Sequence, residues 1–243
     1  MRLSDINVAA IIPARGGSKG IPKKNLLKII EHTLVAWSIM HAKKSVMVND
    51  IFVSTDDQEI ANEATKYGAE TIWRPDKLAS DTASTESVLL HALPYMVKED
   101  KAIDLVVCLQ PTSPVREGKD IDNAIALMAF EHADSCFSAK RIEGFVWSNL
   151  LSENSWLPEH YALCDRPRRQ DLTSEWVEEN GSFYIFKPEI LIDKRCRLGG
   201  KIIPFIQPGY KAQQIDADGN GVLCEQYMRS PKLYPALDYL LEI

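Results

Sequence analysis

A short stretch near the N-terminus has the composition of an anion-binding loop. Residues 11–26 read IIPARGGSKGIPKKNL, in which Arg15, Lys19, Lys23 and Lys24 stand among three glycines. Glycine lets the backbone approach an anion closely, and Arg and Lys supply the countercharge. The spacing matches neither the G-x-x-x-x-G-K-[ST] nucleotide loop nor the G-x-G-x-x-G dinucleotide fingerprint. The pattern therefore favours a phosphate-binding loop of another kind over a solvated basic turn.

A second stretch, QQIDADGNGVLCE at residues 213–225, carries two carboxylates, Asp216 and Asp218. It resembles the opening of a calcium loop, with oxygen side chains at positions 1, 3 and 5 and glycine at 6. Position 12 is Tyr227 instead of glutamate, and the preceding KAQQID predicts a strand where that loop needs a helix. Side chains two apart in a strand point to the same side. Together, the basic loop and the Asp-x-Asp predict a triphosphate held from two sides, with magnesium between them.

Composition excludes several classes of protein. The 243 residues suffice for one large domain with a buried core. The net charge of −6 disfavours general nucleic-acid binding, which needs a basic face. We find no apolar run near the roughly 18 residues of a membrane span, no signal peptide, no C-x-x-C and no histidine spacing typical of zinc. We therefore expect a soluble cytosolic or nuclear protein with reduced thiols, and of the two we favour the cytoplasmic one.

Alternating strand and helix patterns must position these motifs. Strands are predicted at NVAAIIPA, DIFVST, AETIWRP and DLVVCLQ, and helices at TLVAWSIMHAKKS, DDQEIANEATKYG, STESVLLHALPYMVK and GKDIDNAIALMAFEHA. Strands separated by helices of this length predict right-handed βαβ units, and thus a three-layer α/β fold with a mostly parallel sheet. The basic loop then follows the carboxyl end of a strand, where open sheets bind ligands.

The alternation breaks near residue 141. Residues 141–180 are too long for an ordinary loop, so we expect an excursion that leaves the sheet and packs on another subunit. Further strands are predicted at GSFYIFKP, KIIPFIQ and KAQQID. A helical region interrupted by Pro231 is predicted at residues 220–242.

Seven motifs, taken together, resemble those of the CMP-sialic acid synthetases, cytidylyltransferases that act on nine-carbon 2-keto sugar acids. They are IIPARGGSKGIPKKNL, STDDQEIANEATKYGAE, RPDKLASDTASTESVLLHAL, LQPTSPVR, RPRRQD, ENGSFYIF and IDAD, in that order. The resemblance implies a Rossmann-like nucleotidyltransferase fold in which residues 1–243 form a single domain and 141–180 a dimerisation insertion. It also implies CTP and a nonulosonic acid as substrates, magnesium as cofactor, and a homodimer or dimer of dimers. Because the sequence ends at Ile243, we expect no counterpart of the phosphatase-like domain of the mammalian enzymes.

The same resemblance implies roles for individual residues. Catalytic roles fall to Arg15, Lys24, Asp216 and Asp218, of which the two aspartates would hold the metal. CTP would be bound at Ala14, Arg15, Ser18, Lys19, Lys24, Asn25, Arg74, Ala83 and Thr85. The sugar acid would be bound by Gln110, Thr112, Ser113, Lys140 (or Arg141), Tyr184 and Arg168, the last with Arg166 and Arg169 as competitors and reaching a partner's site. The anomeric 2-hydroxyl would attack the α-phosphate of CTP, and pyrophosphate would leave.

Several other readings stay open. The residues near Thr85 could simply cap a helix, Tyr184 could be a core aromatic, and the three arginines of RPRRQD could be surface residues. The acceptor could be KDN, legionaminic, pseudaminic or eight-carbon KDO acid. A guanylyltransferase on the same scaffold, a non-catalytic nucleotide-binding paralogue and an NAD-dependent oxidoreductase are further alternatives, the last without its glycine fingerprint.

Overall fold

The computed structural model describes residues 6–18, 20–98, 101–150, 155–159, 161–172, 175–217, 219–235, 237 and 240. The strands are β1 (Val8–Pro13), β2 (Lys28–Ile29), β3 (His32–Thr33), β4 (Asp50–Thr55), β5 (Glu70–Trp73), β6 (Leu105–Leu109), β7 (Ser135–Arg141), β8 (Trp147–Leu150), β9 (Ser155–Pro158), β10 (Val177–Phe186) and β11 (Ile202–Ile206). The helices are α1 (Leu34–Lys44), α2 (Gln58–Lys66), α3 (Asp76–Ala79), α4 (Thr85–Met96), α5 (Gly118–Glu131), α6 (Pro188–Lys194) and α7 (Asn220–Met228).

Seven strands form the central sheet in the order β11-β7-β10-β6-β1-β4-β5. β1 pairs in parallel with β4 and β6, and β4 with β5, whereas β10 runs antiparallel to both β6 and β7. The predicted mostly parallel sheet is confirmed, with β10 as its one reversed strand among the described residues.

Helices cover both faces of this sheet, which confirms the three-layer architecture. In β1, Val8, Ala10 and Ile12 pack with α1, α2 and α5, while Ala9 and Ile11 pack on the other face with α4 and α6. Burial on both faces explains why this strand is a continuous apolar run without alternation. Asp57 caps α2, since its Oδ1 accepts from the backbone N–H of Glu59 at 2.8 Å.

The excursion between β7 and β10 contains a separate hairpin, in which β8 and β9 pair from Trp147↔Pro158 to Leu150↔Ser155. Trp156 and Leu157 are exposed on it. Arg141 pairs with Val177, so the central sheet includes that residue and the start of β10. The described excursion therefore runs within residues 142–176, and its predicted role in dimerisation stays a prediction.

The strand predicted at KAQQID is wrong. Gly209–Ala212 form a 3₁₀ helix, and residues 213–216 pair with no strand in the described part of the chain. The physical reason is Lys211, whose side chain turns inward to ion pairs with Glu117 at 2.6 Å and Asp120 at 2.7 Å. The same-side argument for Asp216 and Asp218 therefore loses its basis, and Asp218 lies outside the described residues. α7 begins at Asn220, inside the would-be calcium loop.

Across the described residues, no helix combines the length and the apolar character needed to cross a membrane. The predicted helical region at residues 220–242 is confirmed for α7, which ends at Met228, just before Pro231.

The ion pairs of Lys211 hold the 3₁₀ helix Gly209–Ala212 against the N-terminus of α5. Their acidic partners there, Glu117 and Asp120, also form a capping box.

A buried histidine gives the fold a predictable response to acid. His41 is fully buried in α1, its Nε2 lies 2.7 Å from the Tyr234 hydroxyl, and its Nδ1 has no partner in the described part of the chain. Burial, followed by the charges of Arg116 and Lys211, holds the pKa of His41 well below its usual 6.5. The folded protein therefore keeps this ring neutral at a pH where the unfolded chain protonates it.

Stability should fall as the pH drops through the unfolded pKa, because the unfolded state then binds one more proton. We expect the wild type to lose about 1.4 kcal/mol more than His41→Gln between pH 7.5 and pH 5.5, as measured by urea unfolding. His132→Asn, at an exposed position, is the matched control and should keep the wild-type pH response. An equal pH response in His41→Gln and the wild type would contradict the prediction.

Candidate active site

A cavity of about 420 Å³ opens where β1, β5 and β6 end. This is the carboxyl edge of the parallel strands, as predicted. Nine of the predicted site residues line it: Arg15, Ser18, Lys24, Asn25, Arg74, Ala83, Thr85, Gln110 and Thr112. Pro13, Gly20, Leu78, Ser80, Asp81, Val88 and Pro111 complete the lining. Segments far apart in the sequence thus form one site, while the role of each residue stays a prediction.

The basic loop is fastened at both ends. The Gly16 N–H donates to Asp56 Oδ1 at 3.0 Å, and Asn25 Nδ2 donates to the Arg15 carbonyl at 2.9 Å. A Cβ added at Gly16 would lie 2.6 Å from Asp57 Oδ2, so only glycine fits there without displacing that carboxylate. Lys19 lies outside the described residues. The loop therefore crosses the end of β1 in a defined path.

The two cations predicted to act on the triphosphate already face carboxylates. Arg15 Nη1 lies 2.8 Å from Asp81 Oδ1, and Lys24 Nζ lies 2.8 Å from Asp216 Oδ1. The Lys24 side chain is 18% exposed and that of Asp216 is 58% exposed. The Ile215 N–H donates to the Thr112 carbonyl at 2.8 Å, which brings the segment before Asp216 to the cavity. Asp216 therefore lies beside the cavity through its ion pair with Lys24, although it is not one of the lining residues.

Arg74 and the start of α4 form another wall. Arg74 is buried, and its Nη2 donates to the Ser54 carbonyl at 2.6 Å. Burial lowers the pKa of Arg74 to about 10. Ser84 caps α4 by accepting from the Ser87 N–H at 3.2 Å, so the capping role belongs to Ser84, and Thr85 begins the helix at the cavity. This wall offers backbone and small polar groups, which suits recognition of a base by shape.

Gln110 follows β6 directly and is held by its backbone. Its N–H donates to the Ser182 carbonyl at 3.3 Å, and Arg116 Nη1 donates to the carbonyls of Gln110 at 2.9 Å and Ser182 at 2.5 Å. Gly181 has φ +65, and an added Cβ would lie 2.9 Å from Gln110 Oε1. Gly181 therefore supplies a left-handed turn that favours glycine and leaves space for the glutamine side chain.

The remaining predicted residues do not line the cavity. Ala14 and Ser113 are buried, Lys140 pairs with Glu178 at 3.1 Å, and Arg168 is exposed and pairs with Asp171 at 2.6 Å. Of the alternatives, Arg141 pairs with Glu175, Arg166 lies over the Phe145 ring, and Arg169 pairs with Glu143. The described chain alone therefore does not bring the arginines of RPRRQD to its own cavity.

Tyr184 is packed in the core layer beside α4 and α6, as the core-aromatic alternative supposes. Its hydroxyl donates to Glu179, and the Arg197 guanidinium lies 4.1 Å from its ring centroid. Burial, followed by the hydrogen bond to Glu179, raises the pKa of Tyr184 to about 12. The tyrosine therefore stays protonated at neutral pH.

Sequence reasoning missed three residues that shape this site: Asp81, Arg116 and Gly181. Asp81 and Arg116 lie inside the motifs RPDKLASDTASTESVLLHAL and LQPTSPVR, and Gly181 inside ENGSFYIF. The position of Asp81 among small polar residues predicts a turn, and that of Arg116 at the end of LQPTSPVR predicts a solvated helix start. Neither pattern therefore indicates a site residue. Only the positive φ of Gly181 has a sequence signal, which is glycine itself.

Comparison with known proteins identifies the family to which the chain belongs. The family model described as cytidylyltransferase matches residues 9–147. N-acylneuraminate cytidylyltransferase A of Danio rerio is 33% identical over 222 residues, 90% of this chain and 50% of that protein. This chain therefore spans about half the length of that relative.

Two further proteins extend the comparison. Pseudaminic acid cytidylyltransferase of Campylobacter jejuni is 33% identical over 180 residues, 72% of this chain and 75% of that protein. The structure of CMP:2-keto-3-deoxy-manno-octonic acid synthetase complexed with CTP has a TM-score of 0.66 at 16% identity, over 91% of this chain and 98% of that one. This likeness supports the Rossmann-like nucleotidyltransferase fold. From the family match and these relatives together, the chain belongs to the cytidylyltransferase family.

Proposed function

We propose that this chain transfers CMP from CTP to the anomeric 2-hydroxyl of an N-acylneuraminate and releases pyrophosphate. The observation that carries the proposal is the single cavity in which Arg15, Lys24 and Gln110 meet at the carboxyl edge of the sheet. Membership of the cytidylyltransferase family supports CTP as the donor, and the relatives' names support a nonulosonic acid as the acceptor.

The cations of the basic loop would serve the leaving group. Negative charge grows on pyrophosphate as the α-phosphate bond breaks, and fixed cations stabilise that charge without rearranging. Arg15 and Lys24 line the cavity and are only partly exposed, so water screens them less than surface cations. To bind phosphate, both side chains must share their donors between a carboxylate and the nucleotide.

The sugar acid would lie on the Gln110 side. The side-chain amide of Gln110 can both donate and accept, and Thr112 adds a hydroxyl, so together they suit the hydroxyls of a sugar. Lys140, Tyr184 and Arg168 do not line this cavity, and for Arg168 we propose that it acts in the partner's site of a homodimer. Exposed Trp156 and Leu157 on the β8–β9 hairpin support such an interface, because burial of exposed apolar side chains against a partner is favourable.

Magnesium fits this site as a metal whose ligands come mostly from the substrate phosphates. Among the described residues there is no cluster of three or more side chains able to hold a metal ion, but Asp216 places one largely exposed carboxylate beside the cavity. Magnesium commonly binds through one or two carboxylates plus substrate phosphates. Asp216 and Asp218 would hold it, and when bound it would neutralise phosphate charge and lower the pKa of the attacking hydroxyl.

The acceptor can be decided by one assay. Pyrophosphate release with CTP and magnesium should be measured against N-acetylneuraminate, KDN, legionaminic, pseudaminic and KDO acids in parallel. The proposal expects the highest kcat/KM with N-acetylneuraminate, and loss of turnover with excess EDTA. A preference for pseudaminic acid would fit the C. jejuni relative and replace the substrate but not the reaction. Release with GTP but not CTP would overturn the donor.

A further inference from the structure

Asp81 is a carboxylate inside a cavity that we propose binds a polyanion. It lies two residues after α3 ends at Ala79, it lines the cavity, and its side chain is 46% exposed. A carboxylate there repels phosphate, so its presence calls for a compensating role. Its described ion pair joins it to Arg15, with 2.8 Å between Asp81 Oδ1 and Arg15 Nη1.

The contacts of Arg15 are confined to one corner of its guanidinium. Nη1 faces Asp81 and also donates to the Ala79 carbonyl at 3.5 Å. In the described part of the chain, neither Nε nor Nη2 has a partner of its own. A guanidinium carries five N–H donors in a rigid plane, so fixing Nη1 leaves another edge for two oxygens of one phosphate.

We propose that Asp81 is a positioning residue that holds Nη1 of Arg15 so that the opposite edge of the guanidinium meets the triphosphate. The inference rests on the proposed function, since it needs a triphosphate in this cavity. Fixing the side chain before the nucleotide arrives avoids losing its rotamer freedom on binding. The repulsion between Asp81 and phosphate is moderated by water, because nearly half of the Asp81 side chain is exposed.

The competing role is that of a counter-ion that only occupies Arg15 until the nucleotide displaces it. The two roles predict opposite changes in the affinity for triphosphate when Asp81 is removed. Removing a positioning residue weakens triphosphate binding, whereas removing a competing counter-ion strengthens it. Asp81→Asn separates charge from geometry, because the amide keeps the Oδ1 acceptor and loses the negative charge.

The test is titration calorimetry with two probes, CTP with magnesium and inorganic tripolyphosphate, on folded wild type and variants. We expect Asp81→Ala to weaken binding of both probes about tenfold, and Asp81→Asn to stay within about threefold of the wild type. Asp76→Asn, an exposed aspartate in the adjacent α3, is the matched control and should not change either affinity. In the Arg15→Met background, Asp81→Ala should not weaken binding further, because a residue that acts only by positioning Arg15 has no effect once Arg15 is gone.

Each outcome decides something. Unchanged or tighter binding of both probes by Asp81→Ala would overturn the positioning role. If Asp81→Ala weakens the binding of tripolyphosphate but the wild type does not bind CTP, the positioning role is kept and the proposed donor is rejected. Binding of neither probe by the wild type would overturn both proposals. If Asp81→Ala causes the same loss of affinity in the wild type and in Arg15→Met, then Asp81 acts independently of that arginine and the inference is contradicted.

Discussion

Arg15→Met is expected to lower kcat/KM for CTP by about 10²–10³-fold while the protein keeps its fold. Arg15 lines the cavity, its side chain is only partly exposed, and its described contacts are with Asp81 and the Ala79 carbonyl. Removing the guanidinium takes a fixed positive charge from the place where pyrophosphate would leave. Because the ion pair to Asp81 is partly exposed, its loss should change stability little.

Steady-state pyrophosphate release under saturating sugar acid checks this prediction. Lys23→Met is the matched control, because Lys23 also belongs to the basic loop but pairs with Glu59 at 2.5 Å and does not line the cavity. That control should retain activity within about threefold, as expected for a surface charge. A similar loss in both variants would mean that the loop acts through its net charge, and full activity of Arg15→Met would remove Arg15 from the proposed mechanism.

The parts of the fold that follow from local chemistry could be predicted. β1 and β6 are continuous apolar runs because both of their faces are buried, and the edge at which they end is fixed by right-handed βαβ connections. The basic loop is visible for the same reason, since glycines and cations are needed wherever backbone and charge approach an anion. Nine predicted residues therefore meet at one cavity although their segments are distant in the sequence.

The parts that depend on distant partners could not be predicted. KAQQID has the composition of a strand, but Lys211 is drawn away from the sheet by two acids at the N-terminus of α5 that lie about ninety residues earlier. Arg116 looks like a solvated helix start, yet it is fully buried and donates to carbonyls on β6's end and β10. No local pattern encodes such partners.

Lys211→Met is expected to lower the free energy of unfolding by about 3–5 kcal/mol. The Lys211 side chain is 4% exposed and its Nζ lies 2.6 Å from Glu117 and 2.7 Å from Asp120. Methionine fills a similar volume, so the loss comes mainly from two buried carboxyl groups that lose their buried cation. Of its described ion pairs, Glu117 keeps only the one with the exposed Lys119, at 3.2 Å. Urea unfolding at neutral pH measures the change, and Lys201→Met, at an exposed ion pair with Glu131, is the surface control expected to stay within about 1 kcal/mol.

If charge explains the loss of stability in Lys211→Met, a second substitution at Asp120 should partly reverse it. If the unpaired acids cause the destabilisation, then neutralising Asp120 should restore part of it, and Lys211→Met combined with Asp120→Asn should be more stable than Lys211→Met alone. The recovery would be incomplete, because Asp120 also accepts from the Glu117 N–H at 2.8 Å in the capping box. A double variant that is less stable by the sum of both single losses would show instead that packing of the lysine stem, and not its charge, holds the 3₁₀ helix against α5.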